Sequence, residues 1–449
     1  MHSMASALSE HPTVKAFRAR PASPAVSEPL DAVWLRTLCL EAGADDVGFV
    51  ELERPALAEE RPHIVRTFPL TRSLISFVLR MNRDNVRSPA RSLANVEFHH
   101  TGDEVNDVAR RITAALERAG IRALNPPMAF PMEADRWMTE RLWVVAHKPV
   151  AVAAGLGHMG IHRNVIHPRF GNFILLGTIL VAAEISAYSR ELDYNPCLEC
   201  KLCVAACPVG AIGADGVFNF LACYTHNYRE FMGGFADWVE NIADSRDGLD
   251  YRRRVKESES VSMWQSLGFG PNYKSAYCMA VCPAGEDVIG PYLAAKKEFT
   301  EEVVRPLQAR KEPVYVVPGS DAEAHLQKRY PHKTVRHVRN SLRPRSVDAL
   351  LQGMPVSFQR HAAGKLDAAY HFVFTGSEEV EATVVIRSGT LTIKNGLHGR
   401  SNIKVTADAQ TWLGFLAGER NLFWALLTRR VRLRGNPKWL IAFKRCFPS

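Results

Sequence analysis

Seven of the nine cysteines fall between residues 197 and 282. The first four stand in NPCLECKLCVAACPVGAI as Cys197, Cys200, Cys203 and Cys207, followed by Pro208: C-x2-C-x2-C-x3-C-P. Three thiolates spaced by two residues wrap one iron–sulfur cubane, and the cysteine before the proline is directed to a second cluster. The return half is SAYCMAVCPAGEDV, with Cys278, Cys282 and again a proline, Pro283. By the symmetry of the motif, Cys282 completes the cluster of Cys197, Cys200 and Cys203. Cys207 then joins Cys278 and Cys223, the cysteine of FNFLACYTHNY. A zinc site is the other chemistry open to cysteines, but the repeated Cys-Pro pair argues for clusters. Two [4Fe–4S] clusters want eight protein ligands, and these are seven, with Ser275 standing where a complete second motif carries cysteine. The second cluster is therefore [3Fe–4S], or labile, or closed by a non-cysteine ligand, for which Ser275 and His226 are the nearest candidates. Cys39 and Cys446 read as small core hydrophobes.

Upstream lies AAGLGHMG, where Gly155, Gly157 and Gly160 spell G-x-G-x-x-G. A dinucleotide site needs a helix opening at that loop and an acidic residue about 20 positions on. Pro168 and Gly171 cut any such helix short, and the next acidic residue, Glu184, sits in an apolar run, FILLGTILVAAEI. A nucleotide role is excluded.

The elements that must hold these residues follow from periodicity. LDAVWLRTLCLEAGADDVGFVEL reads as an amphipathic helix, a turn at Gly43 and a strand. SLISFVLRM (73–81) is a second buried strand, and a helix capped at Thr101 or Asp103 runs to Gly120. Helices alternating with apolar strands give an α/β domain over 29–190. The cysteine motifs occupy 191–300, with an insertion at 229–274. A proline-bearing stretch, 301–334, reads as a linker, and residues 1–28 as a disordered leader. From 335 to 449, LDAAYHFVFTG, VEATVVIRSGTLTIKNG and SNIKVTADA alternate polar and apolar residues as an antiparallel sheet, followed by helices and the basic strand RRVRLRG.

Composition is that of a soluble globular protein, with 47% hydrophobic and 23% charged residues. No apolar run reaches the ~20 residues of a transmembrane helix, and the N-terminus lacks export signals, so the expected location is cytoplasmic. The net charge of +9 includes local clusters at 251–256 and 427–438. Neither interleaves aromatics as base stacking requires, and nucleic acid is not expected as a partner.

The run AAGLGHMGIHRNVIHPRFGNFILLGTILVAAE followed by NPCLECKLCVAACPVGAI resembles the epoxyqueuosine reductase and reductive dehalogenase superfamily over roughly residues 30–295. The resemblance implies a nitroreductase-like α/β domain, a two-cluster ferredoxin module, and a cobalamin bound between them. It implies that Gly155, Gly157, His158, Gly160, Asn164, Gly171 and Gly177 line the corrinoid, glycines letting the backbone approach a flat macrocycle. It also implies an upstream acid as proton donor, for which Asp135 is the first candidate and Glu133 the second. A ferredoxin or flavodoxin would supply single electrons. Residues from about 335 onward resemble the sterol carrier protein domain, implying either an apolar tunnel for a lipid-like substrate or a side-chain-filled domain that mediates contacts. The expected function is thus an iron–sulfur, cobalamin-dependent oxidoreductase acting on a small or lipid-like substrate. The alternative is a corrinoid-free ferredoxin-type electron-transfer protein with a docking or lipid-carrier tail.

Overall fold

Seven of the eight side chains in β2 (Ser73–Arg80) are buried, because both faces of this strand are covered. The computed structural model describes residues 8–19, 29–133, 142–231, 233–340, 342, 344–416 and 419–448. In it β2 lies between β1 (Asp46–Glu51) and β6 (Ile174–Val181), with the short β3 (Ala123–Leu124) beyond, in the order β1-β2-β6-β3. On one face Ile75, Phe77 and Leu79 meet the helices Ala32–Glu41 and Arg91–Arg118 through Leu35, Cys39, Val108 and Ile112. On the other, Leu74 packs with Val150 and Ala153 of the helix His147–Ala153, and Val78 with Leu156 and Phe170. A continuous apolar run is what such a strand needs. Every pairing in the sheet is antiparallel, so helices and strands mix as expected but without the parallel sheet of a doubly wound α/β fold.

Three boundaries differ from expectation. The long helix begins at Arg91 rather than near residue 101, because Arg91, Ala94, Asn95 and Phe98 continue its buried face backward at helical spacing. In the expected leader, Pro12–Arg18 is helical with no buried residue. Residues 301–334 are no linker: β7 (Pro313–Val316) pairs in parallel with β8 (Thr334–His337), and the helix Asp321–Arg329 lies between them. Leu307, Val314, Leu326 and Tyr330 join the core of the cysteine region. Glu312 fastens them there, accepting from Lys333 Nζ (2.7 Å) and Tyr277 Oη (2.7 Å) in a buried pair. Such a pair is costly to break.

Between β2 and β6 the glycine-bearing segment forms a small hairpin, β4 (His158–Met159) with β5 (Val165–Ile166). No helix opens there, which agrees with the exclusion of a nucleotide site. The C-terminal unit holds β9 (Asp367–Thr375), β10 (Val380–Arg387), β11 (Thr390–Asn395), β12 (Ile403–Asp408) and β13 (Val431–Gly435), in the order β11-β10-β9-β12-β13. The β9–β12 pair is parallel, the others antiparallel; alternation of side chains reads the same for either direction. The face beneath its helices is filled by rings. Tyr370, Phe372, Trp412, Phe443 and Phe447 pack in a chain with centroids 4.6–5.9 Å apart.

Candidate functional site

Four of the seven cysteines line one pocket. Cys197, Cys200, Cys203 and Cys282 face it together with Ile161, His162 and Pro283. The chain reaches this arrangement through left-handed turns at Glu199 and Lys201 before the helix Leu202–Ala206, which carries Cys203, and through the Cys282–Pro283 turn. Cys207, Cys223 and Cys278 form the second group. Each of Cys207 and Cys278 pushes the Cys223 thiol up after burial has already done so, and Cys207 acts likewise on Cys278. The two groups are neighbours, since Cys278 also raises Cys203. Burial, then the mutual repulsion of these sulfurs, holds Cys278 and Cys282 at about 12. Sulfurs so placed are poor thiolates alone and good ligands for a polycationic iron core. Among the described residues, no three of His, Cys, Asp or Glu converge on a point that suits a single metal ion. Four cysteines around one pocket with three more beside them are the donor chemistry that iron–sulfur clusters take.

Backbone N–H groups add to the fit. The Ala211 N–H donates to Cys207 Sγ at 3.3 Å, and the N–H groups of Val209, Gly210 and Ile212 face the same sulfur. Such bonds stabilise thiolate charge and help set cluster potential. Ser275 is engaged elsewhere, its N–H and hydroxyl both donating to Asn227 Oδ1 (3.0 and 3.2 Å). His226 turns to β7, Nδ1 accepting from the Tyr315 N–H, while its buried Nε2 has no partner.

Two arginines, Arg91 buried and Arg87 half-buried, stand beside the cysteines, and nothing in their local sequence announced them. Arg91 is 5% exposed, and its Nη1 donates to the Val86 and Ser88 carbonyls. Its Nε and Nη2, like Arg87 Nη2, have no partner. Desolvation lowers both guanidiniums to about 10, against the attraction of Cys282 for Arg87 and of Tyr277, Glu312 and Cys278 for Arg91. The Arg87 guanidinium lies over the Phe173 and Phe299 rings and that of Arg91 over Tyr277, and a thiolate-ligated cluster would add an anion beside them.

Cys223 and Cys278 are half-buried and Lys148 is exposed, yet all three lie deep enough for desolvation to dominate their titration. The attraction of Cys278 and Cys223 for Lys148 places the three together, and Tyr228, pushed up by burial and then by both cysteines, stands with them beside Tyr273. Phe231 packs on Tyr273 (4.5 Å) and Phe98 on Tyr273 (4.4 Å), so the root of the 229–274 insertion lies against this group. Glu230 holds that root, accepting from Ser262, Ser266, Asn272 and Lys274. Lys148 Nζ donates to the Arg163 carbonyl (2.7 Å) and to Asn164 Oδ1 (3.0 Å). Desolvation holds its ammonium below the usual lysine range, against the attraction of Cys278 and Cys223 and with repulsion from Arg163. A lysine opening the apolar helix of AHKPVAVAA was the one sequence signal for it.

The glycines do something other than expected. A Cβ at Gly155 would lie 2.2 Å from the Arg190 carbonyl oxygen, one at Gly157 2.5 Å from that of Ile166, and one at Gly171 2.0 Å from that of Ala284. At Gly160 it would meet His162, and at Gly177 the Phe77 ring that crosses β6 there. Protein, not open space for a macrocycle, fills each missing side chain. Gly171 and Gly285 interlock, so the loop is clamped directly on the Cys282 turn. His162 is buried between that loop and the cysteine pocket. Its Nδ1 accepts from the Asn164 N–H (3.2 Å), and its Nε2 pairs with the Asn172 carboxamide (3.1 Å). Desolvation, then Lys148, holds it neutral at about 4. His158 keeps a buried Nδ1 without a partner, and His167 Nε2 pairs with Asp46 (3.1 Å). Asp135 lies outside the described residues. Glu133 is exposed, and its N–H donates to the Leu142 carbonyl (2.8 Å).

The chain is similar to known proteins over part of its length. A Vibrio cholerae epoxyqueuosine reductase is 33% identical over 89 residues, 20% of this chain and 24% of that protein. Enzymes of the same name from Gloeobacter violaceus and Listeria monocytogenes are each 27% identical, over 189 and 213 residues, 55% and 52% of their lengths. The chain is a relative of the epoxyqueuosine reductases. It spans about half or less of the length of these relatives. No protein-family model matches it. Among solved structures, epoxyqueuosine reductase from Streptococcus thermophilus aligns at 16% identity and TM-score 0.35, over 61% of this chain and 75% of that one. A reductive dehalogenase described as B12-dependent aligns at 18% and 0.35, over 43% and 27%. An epoxyqueuosine reductase in complex with a tRNA stem loop aligns at 16% and 0.29, over 44% and 60%. Scores this low do not define a common fold. Among the described residues, no helix is long and apolar enough to cross a membrane.

Proposed function

We propose that this chain is an iron–sulfur reductase whose two clusters pass single electrons toward a corrinoid beside Lys148. The observation that carries the proposal is the grouping of the cysteines: four line one pocket, and three stand beside them, two of these half-buried. Relationship to the epoxyqueuosine reductases supports the same chemistry. When bound, the corrinoid supplies a redox-active cobalt that accepts electrons one at a time.

The chain's own residues have separable tasks. Cys197 and Cys200 are half-buried and Leu198 between them is exposed, so electrons from a ferredoxin or flavodoxin enter there. Cys278 and Cys223 form the exit beside Lys148. Tyr228 and Tyr273 offer flat apolar walls, and Lys148, fixed by Arg163 and Asn164, holds a proton at Nζ. Asp135, with Glu133 second, remains the proposed acid upstream of the glycine loop in sequence. The nitroreductase-like topology and a cytoplasmic, reducing setting belong to the same proposal. The sterol-carrier-like tail is proposed in its filled form, as a contact domain, because rings occupy its core.

One observation favours the second reading, a corrinoid-free electron-transfer protein: the glycine loop is clamped to protein where a macrocycle edge was expected. Anaerobic reconstitution with iron, sulfide and hydroxocobalamin separates the two. The reductase reading expects about seven or eight irons and one cobalt retained per chain. Full iron without cobalt establishes the electron-transfer protein, and about four irons or fewer refutes the two-cluster site itself.

A further inference from the structure

Of the chain's net charge of +9, a surplus of eight lies in its last 30 residues. These hold Arg420, Arg429, Arg430, Arg432, Arg434, Lys438, Lys444 and Arg445, and no Asp or Glu. Among the described residues none of the eight makes a close ion pair with an acid. In their midst is the short helix Leu422–Leu427, whose composition is apolar throughout. Only Ala425 of its described side chains is buried, seated on the core of the C-terminal unit. Phe423 is 67% exposed, Trp424 61% and Leu427 62%, with Leu426 also outward.

The wedge is built rather than frayed. The Asn421 side chain caps it, accepting from the Phe423 N–H at 2.8 Å, and the Thr428 hydroxyl closes it on the Trp424 carbonyl at 2.7 Å. The chain then turns through Arg429, whose φ is +58°, into β13. Arg432 folds back so that its Nε donates to the Arg429 carbonyl (3.3 Å). A rigid aromatic and aliphatic tip is thus collared by guanidiniums at its base.

We propose that this wedge docks the chain on an anionic lipid bilayer. Trp and Phe favour the interfacial layer, and Leu beside them favours the acyl boundary. Each Arg near an anionic surface adds favourable energy that salt screens. A second copy of the chain is a poor occupant, because a self-complementary contact would set the guanidiniums of Arg429, Arg430 and Arg432 against the same three. RNA is a poor one because Leu426 and Leu427 present nothing that stacks or hydrogen-bonds with bases. The docking stands independently of the cluster assignment, and it would hold the Lys148 site at a surface where lipid-like molecules reside.

The test is flotation of the full chain with vesicles of phosphatidylcholine alone and with about 30% phosphatidylserine, using tRNA as a competitor. Docking predicts flotation with the anionic vesicles only, weakening as salt rises. Phe423→Ser/Trp424→Ser should lower partitioning by tenfold or more. Arg429→Gln/Arg430→Gln/Arg432→Gln should lower it roughly a hundredfold, at about tenfold or less per cation. The arginine variant alters only exposed side chains, so it remains decisive if the aromatic one misfolds; near-ultraviolet circular dichroism checks both. Quenching of Trp fluorescence by brominated lipid should disappear with Trp424→Phe. No flotation with either vesicle, or binding that survives both multiple variants, overturns the proposal. Loss of tRNA binding in the arginine variant, with vesicles ignored by the parent chain, would make this a nucleic-acid face and also overturns it.

Discussion

Replacing Gly171 by alanine should damage one cluster through the backbone alone. Gly171 has φ +66°, where an L residue pays about 1 kcal/mol. Its Cβ would stand 2.0 Å from the Ala284 carbonyl oxygen, against an ordinary carbon–oxygen approach of about 3.3 Å. Neither side yields easily. Gly171 exchanges both backbone hydrogen bonds with His167 (2.8 and 2.9 Å), and the Glu286 and Asp287 N–H groups donate to the carbonyls of Pro168 and Arg169. Forcing an extra carbon into so fixed a contact costs roughly 1–3 kcal/mol more, so Gly171→Ala should destabilise by about 2–4 kcal/mol. Gly120 is the control. Its φ is +78°, but nothing lies within 4 Å of its Cβ position, so Gly120→Ala should cost only the conformational ~1 kcal/mol. Anaerobic thermal unfolding measures the difference. Iron content and the electron paramagnetic resonance of the reduced protein report whether the displaced Cys282–Pro283–Ala284 turn still closes its cluster. Equal stability of the two variants, with full iron in Gly171→Ala, would refute the interlock.

Other substitutions test the assignments separately. Cys282→Ser or Cys197→Ser should remove one cluster's signal and Cys223→Ser the other's; if Cys282→Ser removes the Cys223 signal instead, the sorting is wrong. Arg91→Gln should lower the potential of the Cys278 cluster and Arg87→Gln that of the Cys282 cluster, each by several tens of millivolts, since 59 mV is about 1.4 kcal/mol for one electron. Redox titration followed by electron paramagnetic resonance reads both, and unchanged potentials would deny the arginines an electrostatic role. His226 is held neutral at about 3 by burial, then by Lys274, Lys333, Arg229 and Arg310. The unfolded chain binds that proton first, so His226 contributes stability above pH ~6.5 that is lost as pH falls toward 3. His226→Asn, which keeps an acceptor for Tyr315, should flatten that part of the acid-unfolding profile; an unaltered slope would assign the acid sensitivity to other groups.

The four cysteines around one pocket were legible in the chain because a C-x2-C-x2-C turn and a Cys-Pro turn are local geometries, dictated by a few adjacent residues. β2, β6 and the helix Ala32–Glu41 were legible for the same reason: their burial prints a period on the sequence. What period cannot carry is what stands opposite. Gly155, Gly157, Gly171 and Gly177 announced close approach, but only the tertiary structure decided that the approaching partners are Arg190, Ile166, Ala284 and Phe77. Residues 301–334 looked like a linker because the three prolines of 305–321 outweigh short apolar runs; the buried Glu312–Lys333 pair and the parallel β7–β8 contact that hold them exist only across distance. Arg87 and Arg91 were silent for a related reason. A single cation carries no pattern, and its meaning arises when folding removes its water and sets sulfur in its place.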